Sequence, residues 1–448
     1  MSNSILTCER FAVDLGKQVY KGEEFTIAPG QIAHIFALSE FRAQDFLYLI
    51  AGLQHSRGLT LPATTNSLRR TDLEVTAEKL DFILLRDKPI YSYTPLERAR
   101  LVGMVYENPE VAIIGNMVIE DFWYSFAAID SFDRHLPAAV LQRYGLYEKL
   151  NRPTDVLSGG ERHRLNCACA LELEPNLLIG DFSASNLDKD FLKDFLLWIK
   201  EFINRGNAVL LTGLSVDELR IFGEYTPLRV QNETIEIGDH DPEFFKSRAE
   251  ENKILKAYLK DRRKDGQPLV KVNNLHIPGR TQPISFDIAE NEILIVEGPN
   301  GCGKTTLGHI LAGRIHRRNY VGDFEFEEKI NPALCLQHPE RSFVWLTVER
   351  ELPHKDLLKI CGISEEQWQA HPRKLSRAQQ KLLSVAVTLS NSSRFAILDE
   401  PTCGMDFPAK LKFVELLNYF RDMTILIFTH DAALDNFCRT IRYQEEVR

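Results

Sequence analysis

The amino-acid sequence predicts an α/β protein made of two similar halves in tandem. Apolar runs of strand length, such as 293–296, are followed by glycine-rich or acidic loops and then by helical patterns. A five-residue segment recurs, since Leu157–Glu161 precedes Asp181 by the same number of positions as Leu375–Gln379 precedes Asp399. The 448 residues suffice for two domains with a hydrophobic core each.

The composition is that of an ordinary globular protein and argues against several functions. Hydrophobic residues make up 44% of the chain and charged residues 26%. The formal charge of −9 lacks the basic excess of proteins that bind phosphate backbones, so we expect no nucleic acid partner. The eight cysteines are scattered, which favours reduced thiols in the cytoplasm. No apolar stretch reaches the ~20 residues that cross a bilayer, so a membrane role requires a partner and involves no lipid insertion by this chain.

A phosphate-binding loop is predicted near the start of the second half. The segment Gly298–Thr305 matches the pattern GxxxxGK[ST] and lies between an apolar strand and a helix. Its glycines let successive backbone N–H groups surround phosphate oxygens, and the helix N-terminus adds partial positive charge. Lys304 is suited to neutralise phosphate and Thr305 to bind Mg²⁺. The predicted nucleotide-binding residues of this loop are Gly298, Pro299, Asn300, Gly301, Cys302, Gly303, Lys304, Thr305 and Thr306.

Two later strand ends carry polar residues. The apolar run 395–398 ends in Asp399 and Glu400, the pattern expected where one carboxylate meets Mg²⁺ and the other polarises water. The run 425–428 is followed by His430, at the strand end where open α/β sheets bind ligands.

These three motifs, with Gln337 after the apolar run 333–336, resemble the ATP-binding-cassette (ABC) ATPases. In that family they are the Walker A loop, the glutamine loop, the Walker B motif and the switch histidine. The segment Leu157–Glu161 resembles the family's signature sequence, LSGGQ. The resemblance implies two tandem P-loop ABC ATPase domains, packed head to tail. Each would have a RecA-like mixed β core, an antiparallel β subdomain and a helical subdomain.

The first half has lost the residues that would bind and hydrolyse ATP. When the halves are aligned, Ala43 replaces the Walker A lysine and Gln44 the hydroxyl that binds Mg²⁺, while Glu40 and Asp45 add negative charge. The other replacements are Glu107 for the glutamine, Phe182 for the glutamate and Gly213 for the histidine. We therefore expect this half to bind Mg-ATP weakly or not at all.

The losses in the two halves are complementary. The first half keeps Leu157–Glu161 and the loop Ser185–Asp188, whereas the second has the altered segments Leu375–Gln379 and Cys403–Asp406. In the family each ATP lies between the P-loop of one domain and the signature of the other, so the resemblance implies one working site. Its catalytic residues would be Glu400, His430, Gln337 and Lys304; its Mg²⁺ ligands Thr305, Gln337 and Asp399; and its residues from the first half Ser158, Gly159, Gly160, Glu161 and Asp188.

The segments 105–122 and 336–352 resemble the QNPE…TVEEDV pattern of the ATPases that energise energy-coupling-factor (ECF) importers. This resemblance implies a transmembrane coupling subunit and a substrate-binding membrane subunit as partners. It also implies a peripheral location at the cytoplasmic face of the membrane. Residues that either line a groove for the coupling subunit or pack in the core are Phe122, Trp123, Phe343 and Trp345.

The predicted domains are 1–240, with the degenerate ATPase, and 269–448, with the catalytic one. The charged run 241–268 between them is expected to be an exposed helix or a flexible tether. No aromatic residue for adenine stacking is evident, and His276 is one candidate substitute. The alternatives to an importer subunit are a soluble tandem ABC ATPase that acts on the ribosome or DNA and a regulatory ABC ATPase.

Overall fold

The chain forms two compact units in a computed structural model, the first ending at Phe245 and the second beginning at Lys246. The described residues are 4–14, 19–38, 41, 43–53, 82–127, 136–181, 189–231, 234–260, 262, 265–279, 281–298, 302–327, 330–339, 342–392 and 394–443.

The first unit contains twelve strands and seven helices within its described residues. The strands are β1 (Leu6–Cys8), β2 (Phe11–Asp14), β3 (Val19–Gly22), β4 (Phe25–Ile27), β5 (Ile32–Phe36), β6 (Ile83–Leu85), β7 (Lys88–Pro89), β8 (Val102–Val105), β9 (Leu177–Asp181), β10 (Ala208–Thr212), β11 (Thr226–Gln231) and β12 (Thr234–Ile237). The helices are α1 (Ala43–Ile50), α2 (Pro95–Leu101), α3 (Val118–Ala127), α4 (Leu136–Arg143), α5 (Gly159–Leu171), α6 (Lys189–Asn204) and α7 (Val216–Leu219).

Two sheets organise this unit. An eight-stranded sheet has the order β2-β3-β12-β11-β5-β10-β9-β8, and its strands from β11 to β8 pair in parallel. A four-stranded antiparallel sheet has the order β4-β1-β6-β7. Strands β5, β9 and β10 are buried along their whole length, which explains why their sequences are mostly apolar.

The second unit repeats this plan with fewer strands. Its strands are β13 (Asp265–His276), β14 (Ile284–Glu290), β15 (Ile293–Glu297), β16 (Val321–Phe326), β17 (Ala333–Cys335), β18 (Phe395–Asp399), β19 (Thr424–Thr429) and β20 (Arg439–Arg442). Its helices are α8 (Arg248–Tyr258), α9 (Lys304–Leu311), α10 (Val348–Glu351), α11 (Lys355–Ile360), α12 (Arg377–Asn391) and α13 (Phe407–Tyr419). A parallel sheet has the order β17-β18-β19-β15-β20, and an antiparallel sheet the order β14-β13-β16.

The predicted α/β fold class is confirmed in both units, and the repeat is visible in local structure. Strands β9 and β18 are both fully buried and both end in an aspartate. Helices α5 and α12 both begin in a capping box, formed by Ser158 with Glu161 and by Ser376 with Gln379. Each recurring five-residue segment therefore forms the N-terminus of a long helix.

The charged run between the halves contains helix α8, which belongs to the second unit. A capping box of Ser247 with Glu250 starts the helix, and Leu255 packs into the core of the second unit. No helix in the described part of the chain has both the length and the apolar character needed to span a membrane.

Candidate nucleotide-binding site

The parallel sheet of the second unit brings the predicted motifs together at one edge. Strands β18, β19 and β15 are neighbours and run in the same direction. Gly298 follows β15, Asp399 ends β18, and His430 follows β19. Since the carboxyl ends of parallel strands lie at the same sheet edge, residues that are distant in sequence become neighbours.

Asp399 and Thr305 form one contact of this site. The Thr305 hydroxyl donates a hydrogen bond of 2.7 Å to Asp399 Oδ2. Burial raises the pKa of Asp399 to about 6, although the Thr305 hydrogen bond acts in the opposite direction. Asp399 Oδ1 is buried and has no hydrogen-bond partner among the described residues. A buried, unpartnered carboxylate oxygen beside a hydroxyl fits a divalent cation such as Mg²⁺, which prefers oxygen ligands.

Lys304 begins helix α9, and its side chain reaches Gly298 and Glu400. Its Nζ donates a hydrogen bond of 2.6 Å to the carbonyl of Gly298 and lies 3.5 Å from Glu400 Oε1. The preceding Gly303 has φ +106°, and a Cβ there would lie 2.4 Å from Cγ2 of Thr281. Only glycine tolerates that backbone conformation and that distance without strain, so the loop pattern has a local cause.

Glu400 and His430 form a buried pair. The distance from Glu400 Oε1 to His430 Nδ1 is 2.7 Å, and the His430 backbone N–H donates to Glu400 Oε2 at 3.3 Å. Burial by itself would raise the pKa of Glu400, but His430 and Lys304 lower it below the ordinary value. Burial by itself would lower the pKa of His430, and the Glu400 carboxylate raises it above the ordinary value. The pair therefore favours an ionised glutamate.

Two features of this pair indicate a ligand site. Glu400 has φ +46°, an unfavourable backbone conformation for a residue with a side chain, and its N–H donates to the carbonyl of Phe428 at 2.9 Å. Such strain is concentrated at functional sites. His430 Nε2 is buried without a hydrogen-bond partner among the described residues. A phosphate oxygen would satisfy this nitrogen.

Lys381 was not predicted from the sequence. It lies in helix α12, is 6% exposed, and its Nζ donates to the backbone carbonyl of Glu400 at 2.9 Å and to that of Gln337. It thus holds Gln337 near the site through the backbone. A lysine directly before the buried pair Leu382 and Leu383 was the available signal, because lysine is almost never buried without partners.

At the corresponding place in the first unit, the described residues Ala43, Gln44, Asp45 and Asp181 carry no positive charge. Ala43 and Gln44 lie at the start of helix α1, where Gln44 Nε2 donates to the Tyr48 hydroxyl at 2.6 Å. Asp45 and Asp181 are both buried. Burial and then the charge of Asp45 raise the pKa of Asp181 to about 7. Two neighbouring carboxylates disfavour phosphate at this place. Weak Mg-ATP binding by this half stays a prediction.

The segment Leu157–Glu161 keeps an open helix N-terminus. The Ser158 hydroxyl accepts from the Glu161 backbone N–H at 3.3 Å, and the Glu161 carboxylate accepts from the Ser158 N–H at 2.8 Å. A side chain at Gly159 would meet no described heavy atom within 4 Å. The corresponding position in helix α12 is occupied by Arg377, which is exposed.

The other predicted residues have different positions. Cys302 is buried, Thr306 lies in the first turn of α9, and the ring of His276 contacts the carbonyl of Asn274 at 2.9 Å. Phe122 is buried against Phe126, which favours core packing for this side chain. The predicted residues outside the described part of the chain are Glu40, Pro299, Asn300, Gly301, Phe182 and Ser185–Asp188.

Residues 281–403 match the model of the ABC transporter family. The second unit carries an ABC ATPase domain. ATP binding and ATP hydrolysis are the activities of such a domain, as expected from the sequence. The matched segment includes the phosphate-binding loop, Gln337, Asp399 and Glu400, and it ends before His430.

Curated relatives cover both halves of the chain. A putative ABC transporter ATP-binding protein of Bacillus cereus is 25% identical in an alignment 409 residues long, which covers 74% of this chain and 73% of that protein. A putative HMP/thiamine import ATP-binding protein, YkoD of Bacillus subtilis, is 25% identical in an alignment 416 residues long. That alignment covers 79% of this chain and 76% of YkoD.

Solved structures of similar fold match nearly the whole length of this chain. The archaeal ribosome recycling factor, solved with an archaeal ribosomal stalk protein, has a TM-score of 0.62 at 19% identity, covering 97% of this chain and 87% of that one. The RNase-L inhibitor has a TM-score of 0.62 at 18% identity, with 99% and 88% covered. At these identities the likeness shows the fold alone.

Proposed function

We propose that the chain is the ATP-hydrolysing, energising subunit of an ECF-type ABC importer, located at the cytoplasmic face of the membrane. It would couple ATP binding and hydrolysis at one composite site to substrate uptake through separate membrane subunits. The observation that carries the proposal is the difference between the two units. Lys304, Thr305, Asp399, Glu400 and His430 form a connected set in the second unit, whereas Ala43, Gln44 and Gly213 replace their counterparts in the first.

Each residue of the second unit has a role that its contacts support. Lys304 neutralises phosphate charge. Thr305, Asp399 and Gln337 would hold Mg²⁺, which would supply stabilisation of the charge that develops on the transferred phosphoryl group. Glu400 is ionised and orients or deprotonates the attacking water. His430 presents Nε2 to the γ-phosphate.

The first unit would supply the other side of the composite site. Ser158, Gly159, Gly160, Glu161 and Asp188 are the proposed contributors. The open N-terminus of helix α5 supports this role, because helix N-termini bind anions and Gly159 leaves space for one. A γ-phosphate held from both sides would close the two units, and its release would let them open, which converts hydrolysis into motion.

Apolar loops at equivalent places in the two units support a membrane partner. In the second unit Val344 is 79% exposed, Trp345 54% and Leu346 72%. In the first unit Ile114 is 74% exposed. Exposed apolar residues that cluster on a soluble domain indicate an interaction surface. We infer that each loop receives a short helix of the transmembrane coupling subunit.

A carboxylate holds each of these loops in the same way. Asp121 Oδ1 accepts from the backbone N–H groups of Ile114 at 2.7 Å and Gly115 at 2.8 Å. Glu351 Oε2 accepts from those of Val344 at 3.0 Å and Trp345 at 2.8 Å. The loops are thus fixed by the fold while their apolar side chains remain exposed, which suits a preformed docking surface.

The alternative is a tandem ABC ATPase that acts on the ribosome or DNA. Its structural support is the fold shared with the ribosome recycling factor, whereas the relatives detected by sequence have names of transporter ATPases. The chain's net charge of −9 also disfavours binding to RNA. We therefore favour the importer subunit, whose substrate would be selected by a membrane subunit.

The proposal is tested by isolating the chain from its own cells with an affinity tag. We expect integral membrane proteins to copurify from detergent-solubilised membranes. The variant Val344→Glu/Trp345→Glu should lose them, while the control Tyr419→Glu, at an exposed position of helix α13, should retain them. Sedimentation of the chain with ribosomes, and no membrane partner in either preparation, would favour the alternative.

A further inference from the structure

The residue after His430 is the centre of a buried polar network. Asp431 is 1% exposed at its side chain, and its Oδ2 lies 3.1 Å from Lys410 Nζ. The Thr402 hydroxyl donates to the same oxygen at 2.9 Å. Oδ1 accepts from the Ala433 N–H at 3.0 Å. Because Thr402 follows Glu400 closely in the chain, Asp431 ties the segment after Glu400 to the segment after His430.

Helix α8, which lies near the start of the second unit, contributes further side chains to this network. Glu251 Oε2 lies 3.0 Å from Lys410 Nζ, so the buried lysine has two anionic partners. Arg248 Nη1 lies 3.7 Å from Asp431 Oδ1. A buried charge is tolerated only when it is paired, so the position of Lys410 and Asp431 depends on the charges that α8 supplies.

A third side chain of α8 acts on the backbone. Asn252 Nδ2 donates to the carbonyl of Ala433 at 2.9 Å and to that of Asp435 at 2.8 Å. Both carbonyls belong to the short turn that follows His430. Three side chains on one face of α8 therefore contact the segment 431–435, directly or through Lys410.

The opposite face of α8 has no such contacts among the described residues. Lys253, Ile254 and Tyr258 are exposed there. The helix is also anchored at its C-terminal end, where Asn418 donates to the Tyr258 carbonyl at 3.0 Å and accepts from the Lys260 N–H at 2.9 Å. The anchoring fixes α8 on the second unit independently of its contacts with the segment 431–435.

We propose that helix α8 is a positioning element of the ATPase site, acting on the segment 431–435 so that His430 stays against Glu400. Arg248, Glu251 and Asn252 are its positioning residues. They act through Asp431, Lys410 and the turn after His430. This inference rests on the proposed site of the second unit and not on the transport function.

Asn252→Asp is the decisive variant. It keeps the shape of the side chain but removes both N–H donors and places a charge near two carbonyl oxygens. We expect kcat for ATP hydrolysis to fall about tenfold, because small displacements of a reacting group are costly. KM for ATP and the affinity for ATP should stay within about twofold, since Lys304 and the phosphate-binding loop are untouched. Lys253→Gln, on the exposed face of the same helix, should leave kcat unchanged.

Glu251→Gln is a second, independent variant, and thermal unfolding of each protein shows which variants are folded. If Glu251→Gln does not fold, the kcat of Asn252→Asp, at a half-buried position, tests the proposal. An unchanged kcat in folded Asn252→Asp, or a loss of ATP affinity in parallel with kcat, would overturn the proposal. The unaltered chain is assayed alongside, without membrane partners. Absence of ATP turnover by the unaltered chain would count against the proposed site itself. A failure to copurify membrane partners would count only against the transport function.

Discussion

Glu400 Oε1 lies 2.7 Å from His430 Nδ1, and the side chains of both residues are at least nine-tenths buried. Lys304 Nζ lies 3.5 Å from the same oxygen. One carboxylate oxygen thus has His430 and Lys304 as partners, and both lower the pKa of Glu400 against the effect of burial. An ionised carboxylate accepts hydrogen bonds from water, and this is what a residue that orients the attacking water must do.

Replacing Glu400 by glutamine separates hydrolysis from binding. Glutamine keeps the size of the side chain and can still contact His430, but it does not carry the charge. We expect ATP turnover to fall about 10²- to 10⁴-fold, the usual effect of losing a positioned general base. Mg-ATP binding should be retained, since Lys304, Thr305 and Asp399 are unchanged. Phosphate release measures the first quantity and isothermal titration calorimetry the second.

The contrasting variant is Lys304→Ala, which should lose both turnover and most of the affinity for Mg-ATP. Lys304 is the phosphate-neutralising residue of the loop, so its loss weakens the binding of ATP before any chemical step. Normal turnover in either variant would reject the assignment of the site. Equal losses of affinity in both variants would show that Glu400 acts in binding rather than in the chemical step.

The strand ends of the second unit were accessible to sequence analysis, because each motif follows an uninterrupted apolar run. Strands β15, β18 and β19 were predicted from such runs, and Asp399 and His430 lie at or just beyond their carboxyl ends. Parallel pairing then places these ends together without further information. The catalytic roles of these residues stay predictions.

Ion pairs between residues that are distant in sequence could not be predicted in the same way. Arg248 and Glu251 lie in a charged run that is typical of a solvated helix, yet they face the buried Lys410 and Asp431. A sequence pattern gives no sign of the partner when that partner lies about 160 to 180 positions away. Lys381 was missed for a different reason, because its acceptors are backbone carbonyls, which any residue type can supply.

The buried Asp181, which lies near the charge of Asp45, should make the stability of the first unit depend on pH. Burial and the charge of Asp45 raise the pKa of Asp181 to about 7 in the folded chain, against 3.8 as its ordinary value. Between these values the folded state binds more protons than the unfolded state, so the free energy of unfolding falls as pH rises from about 4 to about 7. Asparagine at position 181 imitates the neutral acid and removes this loss.

We therefore expect Asp181→Asn to raise Tm at pH 8 by several degrees relative to the unaltered chain and to change it little at pH 4. A gain of about 1 kcal/mol shifts Tm by about 2–4 °C in a unit of this size. Asp190→Asn, at an exposed position of helix α6, is the control and should change Tm equally at both pH values. A Tm difference for Asp181→Asn that is the same at pH 4 and pH 8 would contradict the assigned pKa.

If the proposed composite site exists, a residue of the first half controls hydrolysis in the second. Bulk at Gly159, where a side chain would meet no described atom, should fill the space proposed for the γ-phosphate. Gly159→Arg copies the residue that stands at Arg377, and we expect it to reduce ATP turnover at least tenfold while helix α5 keeps its Ser158 capping box. Ser158→Ala should act in the same direction, although it also weakens the cap by about 1 kcal/mol.

The matched variant is Ala43→Lys, which restores a lysine to the first half and should leave turnover unchanged within about twofold, because the other residues of that site are also missing. Steady-state ATPase rates of the three variants, each checked for folding by thermal unfolding, decide between the two sites. A rise in turnover with Ala43→Lys and normal rates with Gly159→Arg would place hydrolysis in the first half. The physical reason for expecting the opposite is that Asp45 and Asp181 disfavour phosphate where Ala43 lies, whereas the N-terminus of α5 attracts it.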